Sequence, residues 1–303
     1  MMSKIILICG FVIFSLNISY AKDELPNTDS GQQINDFSLS GYGERGTKSW
    51  DVSGKTADIL NDVVKMDMVV GNMYGVQDNI KLTSDKGEFN KAEGKVHLQD
   101  NVVVTTTSGA KLTTNSLDWD RKNQFVSTKD LVNIQKDTMT VVATGATGQT
   151  NLKKVALDKD VRLDIDQAGK DKLAPPDPKN KIIITCDGPL QIDYEKNLAV
   201  FENNVKVERP DSVIYSDRME VYFIPGKKKS EPKDKEAQKG PGAMSGSKID
   251  RIVALGNVKV VRGENTSFSQ EAVYSAVDQK LTLSGRPKLV IYSTEGLNAP
   301  AGN

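Results

Sequence analysis

This 303-residue chain contains three closely spaced aspartates, Asp158, Asp160 and Asp164. Of all its side chains, their type and spacing come nearest to those of a catalytic or metal-binding site. Paired carboxylates serve as acid and base in glycoside hydrolysis, and clustered carboxylates bind calcium. These aspartates alternate with apolar residues, which is typical of the solvated face of a strand, and the sequence has no DxDxDG calcium loop. We therefore predict neither a catalytic residue nor a metal site.

Other reactive side chains are scarce. One histidine, His97, and two cysteines, Cys9 and Cys186, exclude a Cys/His zinc cluster and a CxxC redox pair. We expect His97 at the surface and Cys186 as a small buried hydrophobe near a strand end. The 40 Lys and Arg balance 40 Asp and Glu, so bulk charge gives no attraction to nucleic acid. No cofactor and no nucleic-acid partner are predicted.

The N-terminus has the features of an export signal. Lys4 supplies the positive charge, IILICGFVIFSL the apolar run, and Ser19 to Ala21 a small-residue cleavage site. The apolar run is shorter than the roughly 20 residues that span a bilayer. We predict a cleaved signal peptide at residues 1–21, with an uncleaved membrane anchor as the alternative; either places most of the chain outside the cytoplasm.

The elements that carry these residues are strands. In VALDKDVRLDI, residues 155–165, apolar side chains occupy one parity and charged ones most of the other. The nearest helix candidate, TADILNDVVKMDMVV, is rich in β-branched residues, and its alternating Val64, Met66, Met68 and Val70 favour a strand. The prediction is an all-β chain of mostly antiparallel strands.

The strand pattern repeats, and each copy has a polar interruption that keeps the apolar parity. The interruption predicts a bend that does not turn the apolar face outward. Such units must stack to bury their apolar faces, which predicts a solenoid-like or rolled sheet. The copies contain Phe89-Asn90, Val96, Leu98, Asn101-Val102, Val104; Trp119-Asp120, Val126, Thr128, Leu131-Val132, Ile134; Ile192-Asp193, Ala199, Phe201, Asn204-Val205, Val207; and Tyr274-Ser275, Leu281, Leu283, Arg286-Pro287, Leu289.

Two segments rich in Pro, Gly and Lys interrupt the pattern. Residues 166–181 are predicted to be a linker between domains at 22–165 and 182–303. Residues 225–248 are predicted to be a mobile loop inside the second domain, because the same strand pattern resumes after them.

The inward face consists mainly of Val, Ile, Leu and Ala, with aromatics only 6% of the chain. Such a face either fills a packed core or leaves an elongated apolar channel, and composition alone favours the packed core. The apolar strand KLVIY at 288–292 either pairs within its own domain or adds to a strand of another molecule; the sequence favours neither.

Two stretches resemble known families. FSLSGYGERGTKSWDVSGKTADI, with Gly46, Lys48 and Trp50, and the segment Leu112–Asp120 are similar to the periplasmic domain of the LptC family of lipopolysaccharide-transport proteins. GPLQIDYEKNLAVFENNVKVERPDSVIYSDRMEVYF and the segment 249–292 resemble the OstA-like domain of the LptA family. Together the two resemblances cover nearly the whole mature chain.

The resemblance implies two tandem, twisted β-jellyroll domains in the periplasm that shelter the acyl chains of lipid A during lipopolysaccharide transport. It further implies an inner-membrane ABC transporter and an outer-membrane translocon as partners, with edge-to-edge joining of domains, including homo-oligomers. The lining carried over to the inward parity is Val96, Leu98, Val102, Val104, Val205, Val207, Val258, Val260, Leu281 and Leu283.

Two features depart from the family pattern. LptC proteins usually keep a membrane anchor, whereas the signal here is predicted to be cleavable, and the two domain types usually belong to separate proteins. The alternative function is an extracellular β-solenoid adhesin or polysaccharide-active enzyme. Trp50 and Trp119 are predicted to be core or rim anchors rather than sugar platforms.

Overall fold

The computed structural model describes residues 32–43, 46–75, 78–149, 154–166, 181–224, 248–278 and 280–291. Within these ranges no helix has the length and apolar character needed to cross a bilayer. The predicted signal or anchor at 1–21 lies outside the described residues. So do 167–180 of the predicted linker and 225–247 of the predicted loop.

The fold is all-β, which confirms the predicted class. The strands are β1 Gln32–Tyr42, β2 Lys48–Leu60, β3 Val63–Tyr74, β4 Asn79–Asn90, β5 Lys95–Thr106, β6 Lys111–Asp120, β7 Phe125–Lys136, β8 Met139–Gln149, β9 Lys154–Asp166, β10 Lys181–Cys186, β11 Leu190–Asp193, β12 Leu198–Arg209, β13 Ser212–Ile224, β14 Lys248–Arg262, β15 Asn265–Ser275, β16 Lys280–Ser284 and β17 Lys288–Val290.

Strands that follow one another along the chain pair antiparallel in a single sheet. β10 and β11 lie in line between β9 and β12, and β16 and β17 lie in line beside β15. The 17 strands therefore occupy 15 neighbouring positions. At about 4.8 Å per position, the stack is on the order of 65–70 Å long.

The sheet continues across the predicted linker. Asp166 at the end of β9 pairs with Lys181 at the start of β10, and the register runs back to Val161 opposite Cys186. The described strands all belong to one compact unit, Gly31–Asn303. The strands before and after the predicted linker thus share hydrogen-bonded neighbours, while the domain limits 22–165 and 182–303 stay predictions.

The polar interruptions of the repeat are β-bulges. Asp100 and Asn101 both have positive φ, 64° and 53°, and Asn203 and Asn204 have 65° and 53°. The pairing register shifts at both places. Asn and Asp tolerate the left-handed region better than other non-glycine residues, which explains their presence. The apolar parity is kept across each bulge, as predicted.

The other polar positions of the repeat, at the strand ends, accept hydrogen bonds that close turns. Each accepts a hydrogen bond from the backbone N–H three residues later, as Asx and related turns do. These bonds run to Asn90 from Glu93 at 3.0 Å, to Asp120 from Asn123 at 2.9 Å, to Asp193 from Lys196 at 3.0 Å and to Ser275 from Asp278 at 3.3 Å.

Fully buried residues mark the line along which the sheet bends. At six places a valine faces a small residue on the next strand, because a sharp bend leaves little room on its inner side. The pairs are Val69 with Ser84, Val102 with Thr114, Val132 with Ala143, Val161 with Cys186, Val205 with Ser216 and Val258 with Ser269. We call these residues the bend row.

One local prediction needs correction. The simple alternation Val64, Met66, Met68, Val70 breaks at Met68, which has a φ of 52° and is 58% exposed. Val69 is buried in its place. The left-handed backbone at Met68 shifts the parity by one residue without a change of pairing register, an effect that counting along the sequence did not detect.

Candidate functional site: an apolar cavity along the sheet

The inward side chains on one side of the bend row form an unbroken line of cross-strand neighbours, which we call row 1. Each member pairs with the next across the sheet. Row 1 is Ile59, Val64, Phe89, Val96, Trp119, Val126, Gly148, Val155, Ile192, Ala199, Val221, Ile252, Tyr274 and Leu281.

A second line, row 2, lies on the other side of the bend. Its members are likewise cross-strand neighbours. Row 2 is Leu39, Val52, Gly71, Leu82, Val104, Leu112, Ile134, Val141, Leu163, Ile184, Val207, Ile214 and Val260.

Both rows line one cavity of about 1960 Å³. Its lining includes residues of every strand from β1 to β16, so the cavity extends through both parts of the chain. Typical small-molecule pockets hold about 300–1,000 Å³. A cavity this large and elongated, lined mostly by aliphatic side chains, suits long apolar chains better than a compact polar substrate.

The structure brings six of the ten predicted lining residues to the cavity: Val96, Leu98, Val104, Val207, Val260 and Leu281. Val102, Val205 and Val258 are instead fully buried in the bend row. Leu283 packs against the core cluster and is not part of the lining. Each of the three valines directly follows a bulge, and its side chain fills the inner corner of the bend.

The ten predicted lining residues include no aromatic and no charged side chain. Phe89, Trp50 and Trp119 all line the cavity, in agreement with the prediction that the tryptophans are core or rim anchors. Arg121 and Lys136 also line it. Their position immediately beside a strand end was the available signal, because a long side chain there reaches back over the inward face.

Lys136 is the most deeply buried basic residue of the lining, at 9% exposure. Burial lowers its pKa, against the opposing effect of Asp137 and Asp78. Burial likewise raises the pKa of Tyr194, another lining residue, to about 12. In both cases the leading cause is loss of solvent around the side chain, which disfavours the charged form.

A polar network lies at the N-terminal end of the cavity. Asp51 accepts hydrogen bonds from Asn72 Nδ2 and Tyr74 OH, each at 2.7 Å, and Lys48 Nζ lies 2.7 Å from its Oδ2. These contacts, that from Asn72 foremost, lower the pKa of Asp51 to about 2. The network ties β2 to β3.

The predicted solvated aspartates are not assembled into a site. Asp158 and Asp160 are exposed. Asp164 lies 3.0 Å from Arg162 Nη2 and 3.6 Å from Lys181 Nζ. Among the described residues, no group of three or more His, Cys, Asp or Glu is placed to hold a metal ion. His97 is exposed and lies 2.7 Å from Asp118, and Cys186 is buried at the end of β10, as predicted.

The apolar edges of the sheet coincide with the ends of the cavity. Ile34 and Leu39 on β1, and Leu281 and Leu289 on β16 and β17, are large hydrophobic residues with substantial exposure; Leu39 is 61% and Leu289 60% exposed. Lys288–Val290 of the KLVIY segment pairs with β15 on one side. No described strand pairs with its other side.

Comparison with known proteins agrees with this geometry. Residues 4–166 match the family described as lipopolysaccharide-assembly, LptC-related. Residues 188–299 match the family described as LptA/(LptD N-terminal domain) LPS transport protein. No curated protein sequence matches the chain.

Among solved structures, the chain is similar to LptH, described as the LptA homologous periplasmic component of the conserved lipopolysaccharide transport device from Pseudomonas aeruginosa. The identity is 12%, with 61% of this chain and 95% of that chain covered, at a TM-score of 0.28. At this TM-score the likeness adds nothing to the assignment. Because the first family match covers more than half of the chain, the chain belongs to the LptC-related lipopolysaccharide-assembly family and carries an LptA-like region after its LptC-like region.

Proposed function

We propose that this protein is a periplasmic carrier that shields the acyl chains of lipid A while lipopolysaccharide moves from the inner to the outer membrane. One observation carries the proposal: a single apolar cavity is lined by rows 1 and 2 from β1 to β16. Family membership supports the same role.

The energetics explain why such a cavity is needed. A 12-carbon acyl chain loses on the order of 9 kcal/mol of hydrophobic transfer free energy on entering water, at about 0.8 kcal/mol per CH₂. A lipid with several chains therefore does not cross an aqueous compartment unaided. A continuous apolar wall lets each chain slide from strand to strand without exposing new methylenes to water.

The proposed partners lie at the two edges of the sheet. We propose that the LptC-like end receives the lipid from the inner-membrane ABC transporter and that the other end delivers it toward the outer-membrane translocon. Row 2 ends at Leu39 on β1, and row 1 ends at Leu281 on β16, so a strand added at either edge would extend the cavity. Edge-to-edge homo-oligomers would use the same surfaces.

Mass spectrometry of the mature protein from cells tests the location. Cleavage near Ala21 fits a periplasmic carrier, whereas a retained N-terminus would tether the first domain to the inner membrane. Joining both domain types in one chain raises the effective concentration of one for the other at the first junction of the bridge.

Site-specific photo-cross-linking tests the cavity. A photoreactive residue at Val207 or Val260, both in row 2, should cross-link to lipid A in cells. The matched controls are the neighbouring outward positions Lys206 and Lys259, whose side chains lie near the ring of Tyr215 at 5.9 and 5.7 Å. These controls should give little cross-link.

Equal cross-linking at the inward and outward positions, or none at either, would contradict the carrier proposal. The rival class, a polysaccharide-active enzyme or adhesin, predicts turnover or binding of a polysaccharide by the purified protein. No arrangement of the described residues favours that rival.

A further inference from the structure

Arg121 is held over two aromatic rings at the mouth of the cavity. It is the first residue after β6, and its guanidinium carbon lies 5.5 Å from the ring centroid of Phe89 and 5.8 Å from that of Trp119. Both rings belong to row 1, and all three residues line the cavity. Because a cation is attracted to the faces of aromatic rings, this exposed side chain is positioned at the rim.

A second basic residue lies on the adjacent turn. Lys91, the first residue after β4, is exposed and also lines the cavity. Lateral backbone hydrogen bonds hold this set of turns together: Lys91 N–H donates to Asp62 at 2.8 Å, and Arg121 N–H donates to Gly94 at 3.2 Å. The rim is therefore a built surface rather than a set of independent loops.

The acidic groups nearby are already engaged. Glu93 lies 2.8 Å from Lys95, and Asp120 accepts hydrogen bonds from the backbone and side chain of Asn123. Among the described residues, no carboxylate lies within ion-pair distance of Arg121 or Lys91. Arg262, another cationic lining residue, is paired instead with Asp211 at 3.2 Å. Arg121 and Lys91 thus carry charges that no carboxylate among the described residues pairs with.

We propose that Arg121 and Lys91 bind a phosphate group of the lipid whose acyl chains occupy the cavity. This inference rests on the proposed carrier function and deepens it. A guanidinium matches phosphate with paired N–H donors, and an ammonium adds a point charge. Apolar tails would lie against row 1 while the anionic headgroup stays at the exposed rim.

The test compares purified full-length protein binding bisphosphorylated lipid A with binding of the same lipid after enzymatic removal of its phosphates. We expect the affinity of the wild type for the phosphorylated lipid to be about tenfold higher, because charge-assisted hydrogen bonds to phosphate would be lost with the dephosphorylated lipid. Lys91→Gln combined with Arg121→Gln should abolish the preference, and Arg121→Lys alone should keep part of it. Raised salt should reduce the preference in the wild type only.

The control is Arg251→Gln, which removes a cation–π pair with Tyr222 at 4.2 Å that is not part of the cavity lining. It should leave the preference unchanged. Equal wild-type affinity for both lipids, or a double variant that loses affinity equally for both, would overturn this inference but leave the carrier function standing. Absence of any lipid cross-link at Val207 and Val260 would remove the carrier function and this inference together.

Discussion

At the N-terminal edge of the sheet, hydrogen bonds from three side chains converge on Asp51. The carboxylate is the form that accepts these bonds, so folding favours ionisation and lowers its pKa from 3.8 to about 2. The resulting stabilisation is fully present above the unfolded pKa and is lost as the pH falls through the folded pKa. The lost contacts would be those that join β2 to β3.

We predict that Asp51→Asn destabilises this edge at neutral pH and that its difference from the wild type shrinks as the pH falls from 3.8 to about 2. The chain has only two tryptophans, Trp50 and Trp119, and Trp50 directly precedes Asp51. In a Trp119→Phe background, the fluorescence of Trp50 therefore reports local unfolding of this edge. Tyr74→Phe, which removes one of the hydrogen bonds, should give a smaller change of the same sign. A difference that does not vary with pH would show that Asp51 does not titrate as the network requires.

At the scale of the element, strands such as β5 and β12 bend at a bulge. Asn203 and Asn204 place two successive residues in the left-handed region, and Val205 then fills the inner corner opposite Ser216. The side chain of Asn204 also donates to Asp187 on the loop between β10 and β11. Backbone conformation and packing thus depend on the same short motif.

We predict that Asn204→Val lowers the free energy of unfolding by about 1–3 kcal/mol, because a β-branched residue is strained at positive φ. Asn204→Gly tolerates that φ and loses mainly the hydrogen bond, so it should cost about 1 kcal/mol. Lys206→Val, on the same strand but without positive φ, is the control and should change stability little. The measurement is urea unfolding, and equal losses for the Val and Gly variants would refute the bulge argument.

At the scale of the whole molecule, the cavity depends on both rows remaining open along the stack. Gly148 interrupts row 1 near its middle, and a Cβ added there would meet Val126 at 3.6 Å and Val155 at 3.7 Å, which is ordinary contact. Alanine therefore fits at this position without strain. A tryptophan would project its ring into the cavity.

We predict that Gly148→Trp folds normally and blocks the passage. Gly148→Ala should also fold normally but should leave the passage open. Excluding only two methylenes of an acyl chain costs about 1.6 kcal/mol, which is more than tenfold in occupancy. Lipid A cross-linking at Val104, before the block, should persist, while cross-linking at Val260, beyond it, should fall at least tenfold. Loss of cross-linking at Val104 with retention at Val260 would mean that the lipid moves in the opposite direction, from β16 toward β1. Retention of cross-linking at both positions would contradict a single continuous passage. Circular dichroism checks folding.

The strand class and the bends at the Asn and Asp interruptions were predicted from sequence. They depend on local features: period-2 alternation, Asn or Asp at turn starts, and paired polar residues at bulges. Met68 shows the limit of that approach, because a single left-handed residue in the pair Asp67-Met68 does not resemble the Asn-rich bulges, yet it shifts the parity. The joining of both regions into one sheet was also not evident, because pairing of β9 with β10 is formed across a segment without strand pattern.

Which inward residues line the cavity was decided by the tertiary structure alone. Val102 and Val104 have the same side chain, the same parity and the same strand, yet the first is fully buried and the second lines the cavity. The sequence determined that both face inward, since alternation is a property of the strand itself. Whether an inward valine meets a packed corner or an open space depends on how closely the two sides of the bent sheet approach each other there, and that distance is set by residues far apart in the chain.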